Sequence, residues 1–177
     1  MNKTNIAFVG GRGAGKSRIS RKFGKGSGRL TLSTDTLVSF EAGGLPISKI
    51  VEREGWKKFR DREFELLKKL VSMQDLVIDC GGGILVEAPE EGAQESVSGR
   101  KLELLKHCHV VYVKRDMDWL LEKGSADSNR PDLPGAYKEL LMRRLPWYES
   151  AADFILDMRG IDADDAIDLL IKKYGKV

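Results

Sequence analysis

Gly10-Gly11-Arg12-Gly13-Ala14-Gly15-Lys16-Ser17 is the stretch that decides how this chain folds. It matches G-x-x-x-x-G-K-[ST] at every fixed position. A short apolar run, Thr4 to Val9, leads into it, and a helical segment, Lys16 to Phe23, leaves it. Strand, glycine-rich loop and helix in that order form a cradle for phosphate. The cradle needs bare backbone, because its N–H groups must turn inward around an anion and side chains would block the approach. Lys16 is placed to reach the β- and γ-phosphates of ATP, and the Ser17 hydroxyl to ligate Mg²⁺. The nucleotide-binding candidates are therefore Gly11, Arg12, Gly13, Ala14, Gly15, Lys16, Ser17 and, one residue into the helix, Arg18. A glycine turn without a ligand is the competing reading, and the flanking strand and helix argue against it. The motif alone does not choose between water, a metabolite and another nucleotide as second substrate.

Outward from this loop the pattern alternates. Arg29 to Ser33 predicts a second strand, and Thr36 to Ala42 a helix that stops at Gly43 and Gly44. Trp56, Phe59, Glu63, Phe64, Leu67, Leu70 and Val71 recur at helical spacing, so Gly55 to Ser72 predicts a long amphipathic helix. Leu76 to Cys80 is an apolar run closed by Gly81, Gly82 and Gly83, a buried strand and a turn. Glu87 to Gly99 is acidic and aperiodic and predicts a loop, followed by a helical turn or two at Lys101 to Lys106. Val110 to Lys114 and Phe154 to Asp157 predict strands, and Met117 to Lys123 and Tyr137 to Arg144 predict helices, the latter broken by Pro146. Residues 124–135 hold Gly, Ser, Asp, Asn and Pro and predict a mobile loop. A helix with Ala163, Ile167, Leu170, Ile171 and Tyr174 on its apolar face closes the chain. Strands alternating with helices imply βαβ units and an α/β fold with a parallel sheet.

The chain has 177 residues, 41% hydrophobic and 32% charged, which suits one globular domain over residues 1–177. A net charge of +3 is too mild to argue for nucleic acid or a membrane surface as partner. No uncharged apolar stretch is long enough to span a bilayer, and no signal peptide is evident, so the cytoplasm is the expected location. The 2 cysteines, Cys80 and Cys108, supply no disulfide framework. His107, Cys108 and His109 are adjacent, but neighbours on an extended chain point to opposite faces, so a metal site is not expected there.

Several short motifs, in order and at matching spacing, carry a family resemblance. They are the phosphate loop, Thr34-Asp35, Gly43 to Ile50, Glu54-Gly55, Phe59-Arg60-Asp61-Arg62-Glu63, Gly81-Gly82-Gly83, Val111-Tyr112, Arg130-Pro131 and Arg144-Leu145-Pro146-Trp147-Tyr148. Over nearly its whole length the chain resembles shikimate kinase. The resemblance implies a three-layer α/β/α, nucleoside-monophosphate-kinase-like fold with a central five-stranded parallel sheet and a mobile lid. It implies transfer of the γ-phosphoryl group of ATP to shikimate, with Mg²⁺, by an enzyme expected to be a monomer. Asp35 looks like the residue that orients the acceptor hydroxyl and takes its proton; its structural alternative is a helix N-cap. Arg60 and Arg144 look like the pair that grips the acceptor carboxylate, with Glu63 aiming Arg60; a surface salt bridge is the alternative. Gly81, Gly82 and Gly83 look like the bare backbone packed against the acceptor. Arg130 looks like the lid arginine over the transferring phosphoryl group, and Lys123 falls where the family covers the adenine.

The chain departs from that family's pattern in three places. Ser33-Thr34-Asp35 stands where Asp-Thr-Asp is usual, which removes a carboxylate from the Mg²⁺ water shell. Asp79, after Leu76-Val77-Ile78, is a candidate to replace it; a buried structural partner of a neighbouring Lys or N–H is the alternative. The acidic insertion at 87–99 could line the acceptor site or serve a contact between subunits, and a tolerated loop with no role is the expectation. Arg130-Pro131-Asp132-Leu133 places an acidic residue in the lid. Two other functions are weighed: a kinase for another small metabolite such as gluconate, and an ATP-binding regulatory protein with lapsed catalysis.

Overall fold

The computed structural model describes residues 3–88, 94–125 and 137–175. In chain order the elements are β1 (Asn5–Val9), α1 (Lys16–Ser27), β2 (Leu30–Ser33), α2 (Thr34–Glu41), α3 (Ile47–Ser72) and β3 (Leu76–Asp79). Next come β4 (Val86–Glu87), β5 (Ser96–Val97), α4 (Gly99–Leu105), β6 (Cys108–Lys114), α5 (Met117–Ser125), α6 (Tyr137–Ala151), β7 (Phe154–Asp157) and α7 (Ala163–Tyr174). The main sheet has five strands, all parallel, in the order β2-β3-β1-β6-β7. That is the sheet the resemblance implies.

Alternation along β1 builds the three layers. Ala7 and Val9 face one core with Val38 of α2, Leu67 of α3, Leu105 of α4 and Tyr148 of α6. Ile6 and Phe8 face the other with Phe23 of α1, Leu120 of α5 and Leu170 of α7. A strand covered on both sides is apolar throughout, and every residue of β1 is buried. The chain order reverses beside β1, so the crevice for a ligand opens at the C-terminal end of this strand. The phosphate loop leaves from that end.

Several local readings differ from the structure. The first helix runs on to Ser27 through Gly24 and Gly26. Gly24 is used rather than tolerated, because a Cβ there would run into the Thr31 side chain. α3 begins at Ile47, not at Gly55, which is a kink inside it with φ 81°. Only glycine adopts that conformation readily, and the fork of Arg62 closes over the kink onto Glu54 with two bonds of 3.0 Å. Pro146 does not end its helix. Pro146 and Met142, one turn earlier, both face solvent, so the carbonyl that loses its partner lies on the wet side.

The segment 87–99 is partly folded: β4 and β5 pair antiparallel, Val86 opposite Val97 and Glu87 opposite Ser96. The expected lid at 124–135 begins inside α5, and its remainder, Arg130 and Asp132 included, lies outside the described residues. No described helix is long and apolar enough to cross a membrane.

Candidate active site

The three glycines after β3 form the hub of the site. A Cβ on Gly81 would overlap the Asp35 carboxylate, with Cγ at 3.0 Å. On Gly82 it would lie 3.2 Å from the Arg12 amide nitrogen of the phosphate loop, and on Gly83 only 2.6 Å from the Arg60 guanidinium carbon. Contacts this short are tighter than nearly all real Cβ contacts, so a side chain at each glycine would press on a different functional neighbour. The Gly81 N–H donates to the buried Thr34 hydroxyl at 2.9 Å, which holds the turn against the start of α2. Tyr148 donates its hydroxyl to the Gly82 carbonyl. Burial pushes the Tyr148 phenol up to about 12, so it stays protonated as a donor at neutral pH.

One cavity gathers Asp35, Arg60, Gly82, Gly83 and Arg144 beside Gly11 and Arg12 of the loop. The two arginines therefore face the same space. Neither pairs on the surface. Arg60 and Arg144 are 4% and 5% exposed, which rules out the solvated salt bridge as their role. Arg60 Nη1 donates to Glu63 Oε2 at 2.6 Å, and its guanidinium lies 5.0 Å from the Trp56 ring. Arg144 donates from Nε and Nη2 to the two oxygens of Glu95, at 2.8 and 2.6 Å.

Lys101 of α4 joins Arg60 on Glu63. It is fully buried, and Nζ lies 3.0 Å from Glu63 Oε2 and 3.0 Å from the Val86 carbonyl. Burial alone would raise the Glu63 carboxyl; Arg60 and Lys101 outweigh it and hold the group below its ordinary value. Burial also lowers the Lys101 ammonium, against the pull of Glu63. Glu63 Oε1 has no partner among the described residues, and Glu63 lines the cavity.

In the phosphate loop, Lys16 is buried and donates to the Gly11 carbonyl at 2.9 Å. Ser17 and Arg18 are exposed on the first turn of α1. Gly13 fits against the end of α5, where a Cβ would lie 2.8 Å from the Lys123 carbonyl carbon. The Trp119 indole N–H donates to the Gly13 carbonyl at 3.1 Å. Lys123 pairs with Glu122 at 2.6 Å, its ammonium 5.6 Å from the Trp119 ring. Tyr137 donates its hydroxyl to the Arg12 carbonyl at 2.9 Å.

Asp35 is not the cap of α2. Ser33 is, its hydroxyl accepting from the Thr36 N–H at 3.4 Å, and Asp35 lies in the first turn. Ser33 also pairs in register with Asp79 on the neighbouring strand. Asp79 is 6% exposed, and its Oδ1 has no partner among the described residues. A structural Lys or N–H partner for that oxygen is thus not found there. The described residues hold no group of three or more His, Cys, Asp or Glu able to cage a metal. Mg²⁺ does not need one, since it binds through one or two protein oxygens, water and substrate phosphates. A buried orphan carboxylate oxygen beside the phosphate loop fits that mode.

Sequence reasoning missed Lys101 and Glu95. Lys101 sits in a short helix without a clear period. Glu95 lies in the insertion expected to be idle, and its partner Arg144 is 49 residues away.

A phosphate loop after β1, a carboxylate after β2, a glycine hub after β3 and two buried arginines facing them make this chain a P-loop kinase. The shikimate kinase family profile matches residues 12–174. The shikimate kinase of Leptospira biflexa is 41% identical over 174 residues, 97% of this chain and 96% of that one. The shikimate kinase of Acinetobacter baumannii, solved in complex with shikimate, is 29% identical and superposes with a TM-score of 0.82 over 96% of this chain and 92% of that one. A deoxyadenosine kinase from M. mycoides, at 16% identity and a TM-score of 0.65, shares the fold. The chain belongs to the shikimate kinase family, and it is an ATP-dependent kinase.

Proposed function

We propose that the chain transfers the γ-phosphoryl group of ATP to the 3-hydroxyl of shikimate, with Asp35 aiming that hydroxyl and accepting its proton. The observation that carries this reading is the convergence of Asp35, Arg60 and Arg144 on one cavity at the phosphate loop. Arg60 and Arg144 grip the acceptor carboxylate, since guanidinium forks match carboxylates and keep their charge. The bare backbone of Gly81, Gly82 and Gly83 lets the acceptor ring lie against it, and Glu63 Oε1 accepts from an acceptor hydroxyl. The hydroxyl oxygen attacks the γ-phosphorus, its proton passes to Asp35, and the bond to the bridging oxygen breaks to release ADP. Lys16 meets the charge that develops on the phosphates, and Arg130 is assigned the same task from the lid. Lys123 covers the adenine. The reaction belongs in the cytoplasm, where the ATP pool is, and a single chain supplies every residue named.

Ser17 and Asp79 are the residues that would hold Mg²⁺, Ser17 directly and Asp79 through water. The ion supplies charge neutralisation on the β- and γ-phosphates. The register pairing of Ser33 with Asp79 supports a carboxylate moved by one strand. Asp79→Asn is then expected to weaken Mg²⁺ binding to the ATP complex by about tenfold, the usual weight of an outer-sphere partner. Isothermal titration of the ATP complex with Mg²⁺ reads this without turnover. An unchanged affinity would return Asp79 to a structural role.

A coupled assay of ADP release with shikimate or gluconate as acceptor tests the function itself. Turnover on shikimate alone is expected. Turnover on gluconate would favour the other small-metabolite kinase, and ATP binding without turnover the lapsed regulator.

A further inference from the structure

We infer that Glu95 is a positioning residue for the acceptor site, aiming Arg144 at the cavity as Glu63 aims Arg60. The inference rests on the reading of Arg144 as half of the carboxylate clamp. Arg144 lines the cavity and Glu95 does not. The carboxylate therefore meets the guanidinium from outside the acceptor space instead of filling it. It takes the Nε–Nη2 edge with both oxygens, and the Nη1 side takes no part in that pair. A planar fork fixed along one edge has its other edge fixed too. The pair is dry, at 6% and 10% side-chain exposure, so it has the strength and directionality that surface pairs lack.

Glu95 is itself held. It immediately precedes β5, whose Val97 pairs with Val86. The base of that ribbon is fastened on three sides. The Ser98 N–H donates to the Leu85 carbonyl at 2.7 Å, the Val86 carbonyl accepts from Lys101 at 3.0 Å, and Glu87 accepts from Ser98 and Arg100 at 2.6 and 2.9 Å. Arg100 ties the same ribbon to Asp61 of α3 at 2.6 Å. Hydrogen bonding from Arg100 holds the Glu87 carboxyl down at about 2, so the fastening stays charged through the neutral range. The ribbon thus joins the helix that carries Arg60 to the helix that carries Arg144. The acidic insertion, expected from sequence to be idle, is a strap across the two halves of the clamp.

The test is steady-state kinetics on four variants of the full chain: Glu95→Gln, Glu95→Ala, Arg144→Ala, and the double variant carrying both alanines. Glu95→Gln and Glu95→Ala are each expected to raise KM for shikimate on the order of tenfold, the weight of one charge-assisted hydrogen bond. Their kcat and KM for ATP are expected to stay within about twofold of the parent, since neither residue meets the nucleotide. In the Arg144→Ala background, adding Glu95→Ala is expected to change KM no further. Glu95→Gln keeps the shape of the side chain, so a KM effect shared by both Glu95 variants is not a folding defect. An unchanged KM in both Glu95 variants overturns the proposal and leaves the clamp standing. A lowered KM overturns it by making Glu95 a competitor for the clamp. An unchanged KM in Arg144→Ala sinks the clamp reading first, and the proposal with it.

Discussion

Asp35→Asn is expected to lower kcat on shikimate by about 10³-fold, within the range that a positioned general base contributes. KM for both substrates is expected to move by less than about threefold, because the amide keeps the shape of the group and the clamp binds elsewhere. The fold should barely notice. Ser33, not Asp35, caps α2, so the substitution leaves the cap in place and removes a favourable charge from the helix N-terminus, worth about 0.3–1 kcal/mol. Kinetics and a thermal melt on the same preparation separate the two effects. A variant within tenfold of the parent in kcat would mean that the hydroxyl loses its proton without help from this carboxylate.

The second large effect is on stability. Lys101→Met is expected to cost about 3 kcal/mol, at the low end for breaking a buried ion pair because Arg60 stays on Glu63. For a chain of this length that is a drop of roughly 6–12 °C in melting temperature. The same change is expected to raise KM for shikimate, since Glu63 would be drawn wholly to Arg60. Scanning calorimetry reads the first effect, and kinetics below the transition reads the second. A melt within about 2 °C of the parent would show that the ammonium is replaceable by any side chain that fills its space.

What the sequence carries about this molecule depends on the range of the interaction. The phosphate loop is legible because its chemistry is local: eight consecutive residues contain the whole device. The strands are legible because burial on both faces makes them apolar throughout. The glycine hub is half legible. Three glycines announce a backbone that something approaches, but Asp35, Arg12 and Arg60 are brought to it by tertiary structure. Lys101 was hidden because nothing in a seven-residue helix distinguishes a buried ammonium from a solvated one. Glu95 was hidden because a loop's acidic residue looks idle until its distant arginine is seen. Pro146 is misleading for the opposite reason: its rule is local, and the buried Tyr148 two residues later lies in the same continuous helix.

Two of the chain's three tryptophans sit one at the phosphate loop and one at the cavity. The Trp119 indole is bonded directly to the phosphate loop through the Gly13 carbonyl, while Trp56 lines the acceptor cavity against Arg60. Indole emission responds to hydrogen bonding and to nearby charge. The unlabelled protein is therefore expected to report ATP and the acceptor by its own emission, and single Trp→Phe replacements would assign each fluorescence change to the ligand that causes it.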